Sequence, residues 1–344
     1  MIKLQKSLSQ SGIKLCLLIF NHNTPATGID PCLASIRNHL ADSMDYIEGH
    51  NEPDMSWPDK QNWAAGSTAW LKEIRAKVKA DPGLKHIKIA GSALAHPEVK
   101  ESQRLMGDLS SLVDVANVHA YPGGRPNEAR ISAYLKAILP VYGNKPVIVT
   151  ETGYHTALEN PPQKHKPVSE EVKAIYLSSL LMDNFRLGIE RSYIYLVVDK
   201  KAPNQKDQEA HFGLVSHDLK PKPSYLALKN LTQILRDPGN TEFKTGALDF
   251  TIPNAPAELR SVLLQKKDGR FYLALWRYVK IWDEIKLRDI PVAPVPVQIR
   301  FARPAATVRQ YRPNESALPI HSLEAVTAVD LSLDARLLLL EVQP

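Results

Sequence analysis

The sequence predicts an α/β domain of repeated β/α units, followed by an all-β domain. From residue 13 to about 235, short apolar runs rich in β-branched residues alternate with amphipathic helical stretches. This is the pattern of parallel strands joined by crossover helices. After Asp237-Pro238-Gly239 the apolar residues recur with a period of two, which is typical of antiparallel strands. We therefore expect a β/α domain over 1–239 and a β-sandwich over 240–344.

Six strands are predicted in the β/α domain. A closed (β/α)8 TIM barrel needs eight such units, so the sequence predicts an incomplete barrel. The predicted strands are Ile13–Phe20, Tyr46–Gly49, Ile87–Gly91, Val115–His119, Val147–Glu151 and Tyr193–Val198.

Three helices between and after these strands can be placed from their periodicity and end signals. Trp63–Ala80 has apolar residues at helical spacing with lysine, arginine and glutamate between them. A second helix begins after Ser169, a suitable N-cap, and ends near Gly188, where the chain can turn with a positive φ. A third is predicted over Ser224–Leu235.

The all-β part contains one strong hairpin signal. The turn residues Lys266-Lys267-Asp268-Gly269 separate the strand candidates Arg260–Gln265 and Arg270–Tyr278. Three further strand candidates are Val295–Phe301, Ala306–Tyr311 and Ala335–Val342.

Composition excludes several functions. The net charge of +6 comes from lysines and arginines spread among nearly as many acids, so nucleic-acid binding is not favoured. No apolar run reaches the ~20 residues of a membrane span. Cys16 and Cys32 suggest two free thiols. The N-terminal residues lack the apolar stretch of a secretory signal, so we expect no export signal in the chain as written and leave the compartment open.

Reactive side chains follow three of the predicted strands. These strand ends read Glu48–Asp54, Asn117–Pro122 and Val149–Tyr154. On a parallel barrel the active site lies where the carboxyl ends of the strands meet. Cleavage of a glycosidic bond with retention needs two carboxyl groups about 5–5.5 Å apart. About three units separate Glu52 from Glu151, so we expect them to face each other across the barrel mouth.

Asn51-Glu52-Pro53 and Thr150-Glu151-Thr152-Gly153 make the chain resemble a clan A retaining glycoside hydrolase over about residues 13–235. In this clan the first motif ends strand four and the second ends strand seven. The resemblance implies that Glu52 is the general acid/base, that Glu151 is the nucleophile, and that Asn51 hydrogen-bonds the 2-hydroxyl of the sugar. It implies a β-linked oligo- or polysaccharide substrate, no cofactor and no metal.

The resemblance also suggests the residues around the pair. His119 and Tyr121 end the strand before the nucleophile, where either ring could donate a hydrogen bond to Glu151. Trp57 could stack on a sugar or pack on the barrel rim.

Two further tyrosines are candidates for binding substrate. Tyr154 could line the cleft or be solvated. Tyr195 lies in the last strand, where many members of the clan carry a tryptophan under the sugar, so the placement of the sugar ring is open.

If Glu52 ends strand four, the first predicted strand is strand three, and the chain lacks its first two β/α units. An open barrel exposes unpaired backbone at both edges. We therefore expect either that a longer gene product supplies the missing units or that the chain closes its edges by association, for example in a homo-oligomer, or by rearrangement.

Two other functions compete with hydrolysis by the carboxylate pair. The incomplete barrel suggests a non-catalytic carbohydrate-binding or remnant glycosidase-like protein. Histidines near several strand ends suggest a metal-dependent hydrolase as an alternative. Neither of the metal-binding motifs H-x-H and H-E-x-x-H occurs, which argues against it.

Overall fold

The computed structural model of the protein describes residues 2–19, 28–159, 165–204, 206–238 and 242–344. The chain divides into two compact units. The first comprises Met1–Ala120, Arg130–Thr152 and Gly188–Tyr193, and the second comprises Tyr121–Ala129, Gly153–Leu187 and Ile194–Pro344. The predicted boundary at residue 239 lies outside the described residues.

The first unit is built on six strands in chain order. β1 pairs with β2 and β2 with β3 in parallel. A parallel bridge between Ala90 and Val115 leads to β4, which pairs in parallel with β5, and β6 lies beside β5. The strands are β1 Leu15–Leu18, β2 Met44–Glu48, β3 Lys88–Ala90, β4 Ala116–His119, β5 Val147–Thr152 and β6 Ile189–Ile194.

Eight helices accompany these strands in the described part of the chain. They are α1 Ile2–Gln10, α2 Ile29–His39, α3 Pro53–Ser56, α4 Trp63–Ala80, α5 Lys100–Met106, α6 Glu128–Tyr142, α7 Glu170–Arg186 and α8 Pro223–Leu235. The three predicted helices are observed as α4, α7 and α8. The Ser169 hydroxyl accepts a hydrogen bond from the backbone N–H of Val172, so it caps α7 as expected. Within the described residues, no helix combines the length and apolar character needed to cross a membrane.

The first five predicted strands are observed with shorter or shifted ends, and the sixth was placed wrongly. Phe20, the predicted end of the first strand, lies outside the described residues. β6 begins at Ile189, directly after Gly188 turns the chain with φ +80°, and ends at Ile194. The apolar residues that follow leave this sheet, because Val197 accepts a backbone hydrogen bond from Val215 in the second unit.

The second unit contains a six-stranded sheet in which neighbouring strands pair antiparallel. Its strand order is β13-β12-β14-β9-β8, and β7 pairs with β12. β10 and β11 form a separate two-stranded ribbon. The strands are β7 Phe250–Thr251, β8 Leu259–Gln265, β9 Phe271–Arg277, β10 Trp282–Asp283, β11 Arg288–Asp289, β12 Val295–Tyr311, β13 His321–Leu333 and β14 Leu338–Gln343. The predicted hairpin between β8 and β9 is present.

Two predictions for this sheet were wrong. The candidates Val295–Phe301 and Ala306–Tyr311 form one strand, β12, whose pairing with β13 shifts register between Arg300 and Ala305. β13 was missed because its alternating run, Val329–Leu333, is short and its first half is mostly exposed, with Ala325 at a positive φ of 53°.

Six of the seven residues of β9 are buried, because both faces of this strand are covered. Tyr272, Ala274 and Trp276 share a core cluster with residues of α7 and α8. Phe271, Leu273 and Leu275 share a second cluster with residues of β12, β13 and β14. Helices that the sequence assigns to the β/α domain therefore pack on the antiparallel sheet of the second unit.

Candidate active site

Three titratable side chains meet at the carboxyl ends of β2, β4 and β5 in the first unit. Glu52 follows β2, His119 is the last residue of β4, and Glu151 lies near the end of β5. His119 and Glu151 are register partners in the parallel pair β4–β5. The sheet therefore brings together three residues that are far apart in the sequence.

The distances within this cluster are short. Nδ1 of His119 lies 2.9 Å from Oε1 of Glu52 and 3.6 Å from Oε2 of Glu151. One nitrogen or oxygen atom from each of the three side chains lies within 4.8 Å of the other two. The histidine side chain is only 2% exposed, whereas those of Glu52 and Glu151 are 16% and 27% exposed. The two carboxyl groups thus remain partly accessible above a buried ring.

Carboxylates surround His119 and keep it protonated. Burial of the ring lowers the pKa of His119, but the carboxylates, Glu151 foremost, raise it, and the net pKa is about 10. The ring is therefore an imidazolium at neutral pH, and both of its nitrogens are donors.

The backbone of Glu52 has an unusual conformation. Its φ of 42° and ψ of 58° lie in the left-handed region, which non-glycine residues seldom occupy. Its carbonyl oxygen accepts backbone hydrogen bonds from Met55 and Ser56, and Pro53 begins α3. The turn into α3 thus fixes the direction in which the Glu52 side chain leaves the chain.

Two residues of the candidate site, Glu48 and Thr150, belong to strand ends that the sequence singles out, but no role was predicted for them. Glu48, the last residue of β2, is 4% exposed and accepts a hydrogen bond from Asn117 Nδ2 at 2.7 Å. Thr150 Oγ1 lies 3.1 Å from Nε2 of His119 and donates to Glu48 at 3.2 Å. An acid at the end of an otherwise apolar strand was the available signal for Glu48.

Of the residues near Glu52, Asn51 is half-buried, and its carbonyl oxygen accepts a hydrogen bond from Ser56. Trp57 packs on α4, so closely that a β-carbon at Gly66 would lie 2.4 Å from its ring. The ring also lies 4.6 Å from that of His50. These contacts match the packing alternative for Trp57.

The three predicted tyrosines lie in the second unit. Tyr154 is 2% exposed, belongs to the core cluster shared with α7, and donates a hydrogen bond to the carbonyl of Arg125. It is therefore a core residue, which corrects the expectation that it lines a cleft. Tyr121 and Tyr195 are half-buried, with ring centroids 6.2 Å apart.

The same three side chains that could perform acid–base chemistry could also hold a divalent cation. One nitrogen and two carboxylate oxygens within 4.8 Å of one another suit such an ion. A cation would have to displace the proton of His119 Nδ1, which is in a hydrogen bond to Glu52. We therefore assign this position to a proton.

No protein-family model matches the sequence, and no curated protein matches it. A family 39 glycoside hydrolase from the gut symbiont Bacteroides cellulosilyticus WH2 is 15% identical, with a TM-score of 0.66 over 99% of this chain and 70% of that chain. A GH51 arabinofuranosidase from Xanthomonas axonopodis pv. citri is 13% identical, with a TM-score of 0.60 over 100% and 78% of the two chains. A glucosidase from Croceicoccus marinus is 11% identical, with a TM-score of 0.57 over 99% and 81%. The chain therefore has the fold of the clan A glycoside hydrolases.

Proposed function

We propose that the protein is a glycoside hydrolase that cleaves β-glycosidic bonds with retention of configuration. The observation that carries this proposal is the carboxylate pair, because oxygens of Glu52 and Glu151 lie within 4.8 Å of each other. Retaining enzymes place their two carboxyl groups about 5–5.5 Å apart, whereas inverting enzymes leave about 6.5–9.5 Å for a water molecule. The pair thus fits direct attack by one carboxylate on the sugar.

In the first step Glu52 donates its proton to the glycosidic oxygen while a carboxylate oxygen of Glu151 attacks the anomeric carbon. The bond to the leaving alcohol breaks and a glycosyl ester of Glu151 forms. In the second step Glu52 takes a proton from a water molecule, whose oxygen attacks the anomeric carbon. The ester bond breaks, and Glu151 and the proton on Glu52 are restored.

Four further residues have proposed roles. The imidazolium of His119 lies 3.6 Å from Glu151 and 2.9 Å from Glu52. It favours the charged form of both, which the first step requires of Glu151 and the second step requires of Glu52. Asn51 hydrogen-bonds the 2-hydroxyl of the sugar, a contact that strengthens in the transition state. Tyr121 and Tyr195 are the proposed aromatic contacts to sugar; Trp57 is assigned to packing. We also propose that β1 to β6 are strands three to eight of the barrel and that the all-β part is a sandwich.

The test is turnover of a panel of aryl β-glycosides and β-linked polysaccharides by the wild type and by Glu151→Gln. We expect the wild type to hydrolyse at least one member and the variant to lose that activity. If a folded wild type hydrolyses none of them but binds polysaccharide, the protein is a carbohydrate-binding relative. Full activity in Glu151→Gln would refute the nucleophile assignment.

A further inference from the structure

Glu48 is a buried carboxylate that the two steps above do not use. Its Oε1 accepts hydrogen bonds from Asn117 and Thr150 and lies 3.7 Å from Nε2 of His119. A buried charge is stable only when it is paired and hydrogen-bonded. His119 is the cation that this carboxylate faces.

The hydrogen bonds around Thr150 connect Glu48 to the ring. The side-chain oxygen of Asn117 accepts from the backbone N–H of Thr150 at 3.2 Å, which orients the amide of Asn117 so that its nitrogen donates to Glu48. Nε2 of the imidazolium donates to Thr150 Oγ1 at 3.1 Å. The hydroxyl proton of Thr150 then has two acceptors within reach, Glu48 at 3.2 Å and Asn117 Oδ1 at 3.0 Å.

The ring of His119 thus has two carboxyl groups on one side and one on the other. Nδ1 faces Glu52 and Glu151, which perform the proposed reaction, and Nε2 faces Glu48. Among the described residues these are the carboxylates paired with the ring, and they come from β2, from the turn after it and from β5.

We propose that Glu48 is a positioning residue that keeps His119 protonated through both steps of the double displacement. The inference rests on the proposed function of Glu52 and Glu151. Glu48 acts through His119 and does not touch the sugar.

Glu48 can keep His119 protonated because of the charges around the ring before the attack and in the glycosyl ester. Before attack, Glu52 carries a proton, and Glu151 and Glu48 are anions beside one imidazolium. In the glycosyl ester, Glu151 is neutral, and Glu52 and Glu48 are the anions. The cluster therefore keeps one net negative charge in both states.

Without Glu48, Glu52 would be the one anion of this cluster left beside the ring after the attack. It lies 2.9 Å from Nδ1, so the proton of His119 could pass to it directly. A protonated Glu52 cannot accept the proton of the incoming water, and the second step would stop. The raised pKa of His119, to which the carboxylate of Glu48 at 3.7 Å contributes, agrees with this role.

The direct test is the titration of His119 by NMR in protein with labelled histidine, in the wild type and in Glu48→Gln. We expect the midpoint for His119 to fall by at least about one pKa unit in the variant, because its carboxylate partner is lost. An unchanged midpoint would overturn the proposal. Glu341→Gln is the matched control, because Glu341 is also a buried acceptor, of a hydrogen bond from Tyr272, and should leave the midpoint unchanged.

The kinetic test uses a substrate that the wild type hydrolyses. We expect Glu48→Gln to lower kcat by at least about tenfold, with little change in KM, and to move the alkaline limb of the pH profile to lower pH. If kcat and this limb match those of the wild type, the positioning role is refuted even if the titration shifts. A wild type without turnover refutes the proposed function instead, while the titration still decides whether Glu48 holds the proton.

Thr150→Val is the second variant in case Glu48→Gln does not fold. It removes the connecting hydroxyl and leaves the carboxylate 3.7 Å from the ring. We expect a smaller downward shift of the His119 midpoint. No shift in this variant would show that the hydrogen bonds through Thr150 do not hold the proton.

Discussion

Glu52 combines a left-handed backbone with a side chain that contacts a buried imidazolium. Glycine or asparagine would adopt this backbone at lower cost. A strained conformation of this kind persists where the surrounding structure enforces it, and such residues cluster at functional sites. The conformation therefore adds to the case that the side chain of Glu52 is used.

The acid role of Glu52 predicts a dependence on the leaving group. In Glu52→Gln the leaving oxygen receives no proton, so hydrolysis of an alkyl glycoside should fall by about 100-fold or more, the range of general acid catalysis. An activated dinitrophenyl glycoside needs no such help in the first step. We expect its kcat/KM to change much less.

The corresponding measurement compares kcat/KM of the two substrates in the wild type and in Glu52→Gln. Equal losses for both substrates would contradict the acid role. Azide should accelerate turnover of the dinitrophenyl glycoside by Glu52→Ala, because this anion needs no general base to attack the ester.

The raised pKa of His119 predicts how stability depends on pH. The folded-state pKa, about 10, exceeds the usual value of 6.5, so the folded protein binds the proton more tightly than the unfolded chain. This stabilisation is fully present below about pH 6.5 and is lost as the pH rises through about 10. The free energy of unfolding of the wild type, relative to His119→Asn, should therefore decrease from pH 6.5 to 10. A constant difference across this range in urea unfolding would contradict the assignment of an imidazolium.

At the scale of single residues, the sequence drew attention to the candidate pair Glu52 and Glu151 but not to the contacts around it. The motifs around Glu52 and Glu151 carry a recognisable order of residue types. Tyr154 was misassigned because nothing in Thr152-Gly153-Tyr154 shows that its ring enters a core formed with α7. Glu48 was missed because its partners, Asn117 and Thr150, come from two other strands.

Among the elements, the three helices that were predicted have the most accurate ends, although five other helices of the described residues were not predicted. α4 has the predicted ends, since its apolar spacing and its length are local properties. β6 was misplaced because its second and third residues, Glu190 and Arg191, interrupt the apolar pattern. The residues after Ser192 are more apolar, so the strand was predicted to begin there. Strand pairing depends on partners far away in the chain, which local patterns do not show.

The contact between α7 and β9 contains a buried acid that predicts an unusual effect. Burial raises the pKa of Asp183 to about 7, and its Oδ1 accepts a hydrogen bond from Trp276 Nε1 at 3.0 Å. The folded protein thus binds this proton more tightly than the unfolded chain, so the group costs stability as the pH rises from about 4 to about 7. Asp183→Asn should raise the free energy of unfolding at pH 8 by roughly 2 kcal/mol.

The control for Asp183→Asn is the same urea unfolding experiment at pH 4.5, where the aspartic acid is largely neutral in the folded state. The gain should be much smaller there. A variant that is equally or more destabilised at pH 8 would show that the charged form is not penalised.

For the whole molecule, β1 and β6 stand at the two ends of the six-strand series, while side chains of β6 also reach β2, since Arg191 pairs with Asp45 at 2.9 Å. Backbone groups at a strand edge that stays open can pair with another chain, and a lysine on the edge discourages it. The expectation of a homo-oligomer through these edges predicts that the protein associates as its concentration rises, and that Leu18→Lys on β1 weakens this association. Sedimentation velocity measures both, and a single monomeric species at all concentrations would contradict the prediction.

The fold class of the whole chain was predictable because the local spacing of apolar residues distinguishes alternating β/α units from period-two strands. The division into units was not, because α7 and α8 cover the antiparallel sheet of the second unit. Which sheet a helix covers depends on complementary apolar faces, and the sequence shows each face without its partner.

In the proposed mechanism, Glu151 attacks the sugar and forms a covalent ester. The most direct measurement treats the wild type and Glu151→Gln with activated 2-deoxy-2-fluoro β-glycosides, which slow the second step, and determines the mass of the intact protein and of its peptides. We predict that the wild type gains the mass of one fluorosugar on the peptide containing Glu151 and that the variant gains none. Turnover without any adduct, or an adduct on another residue, would refute Glu151 as the nucleophile.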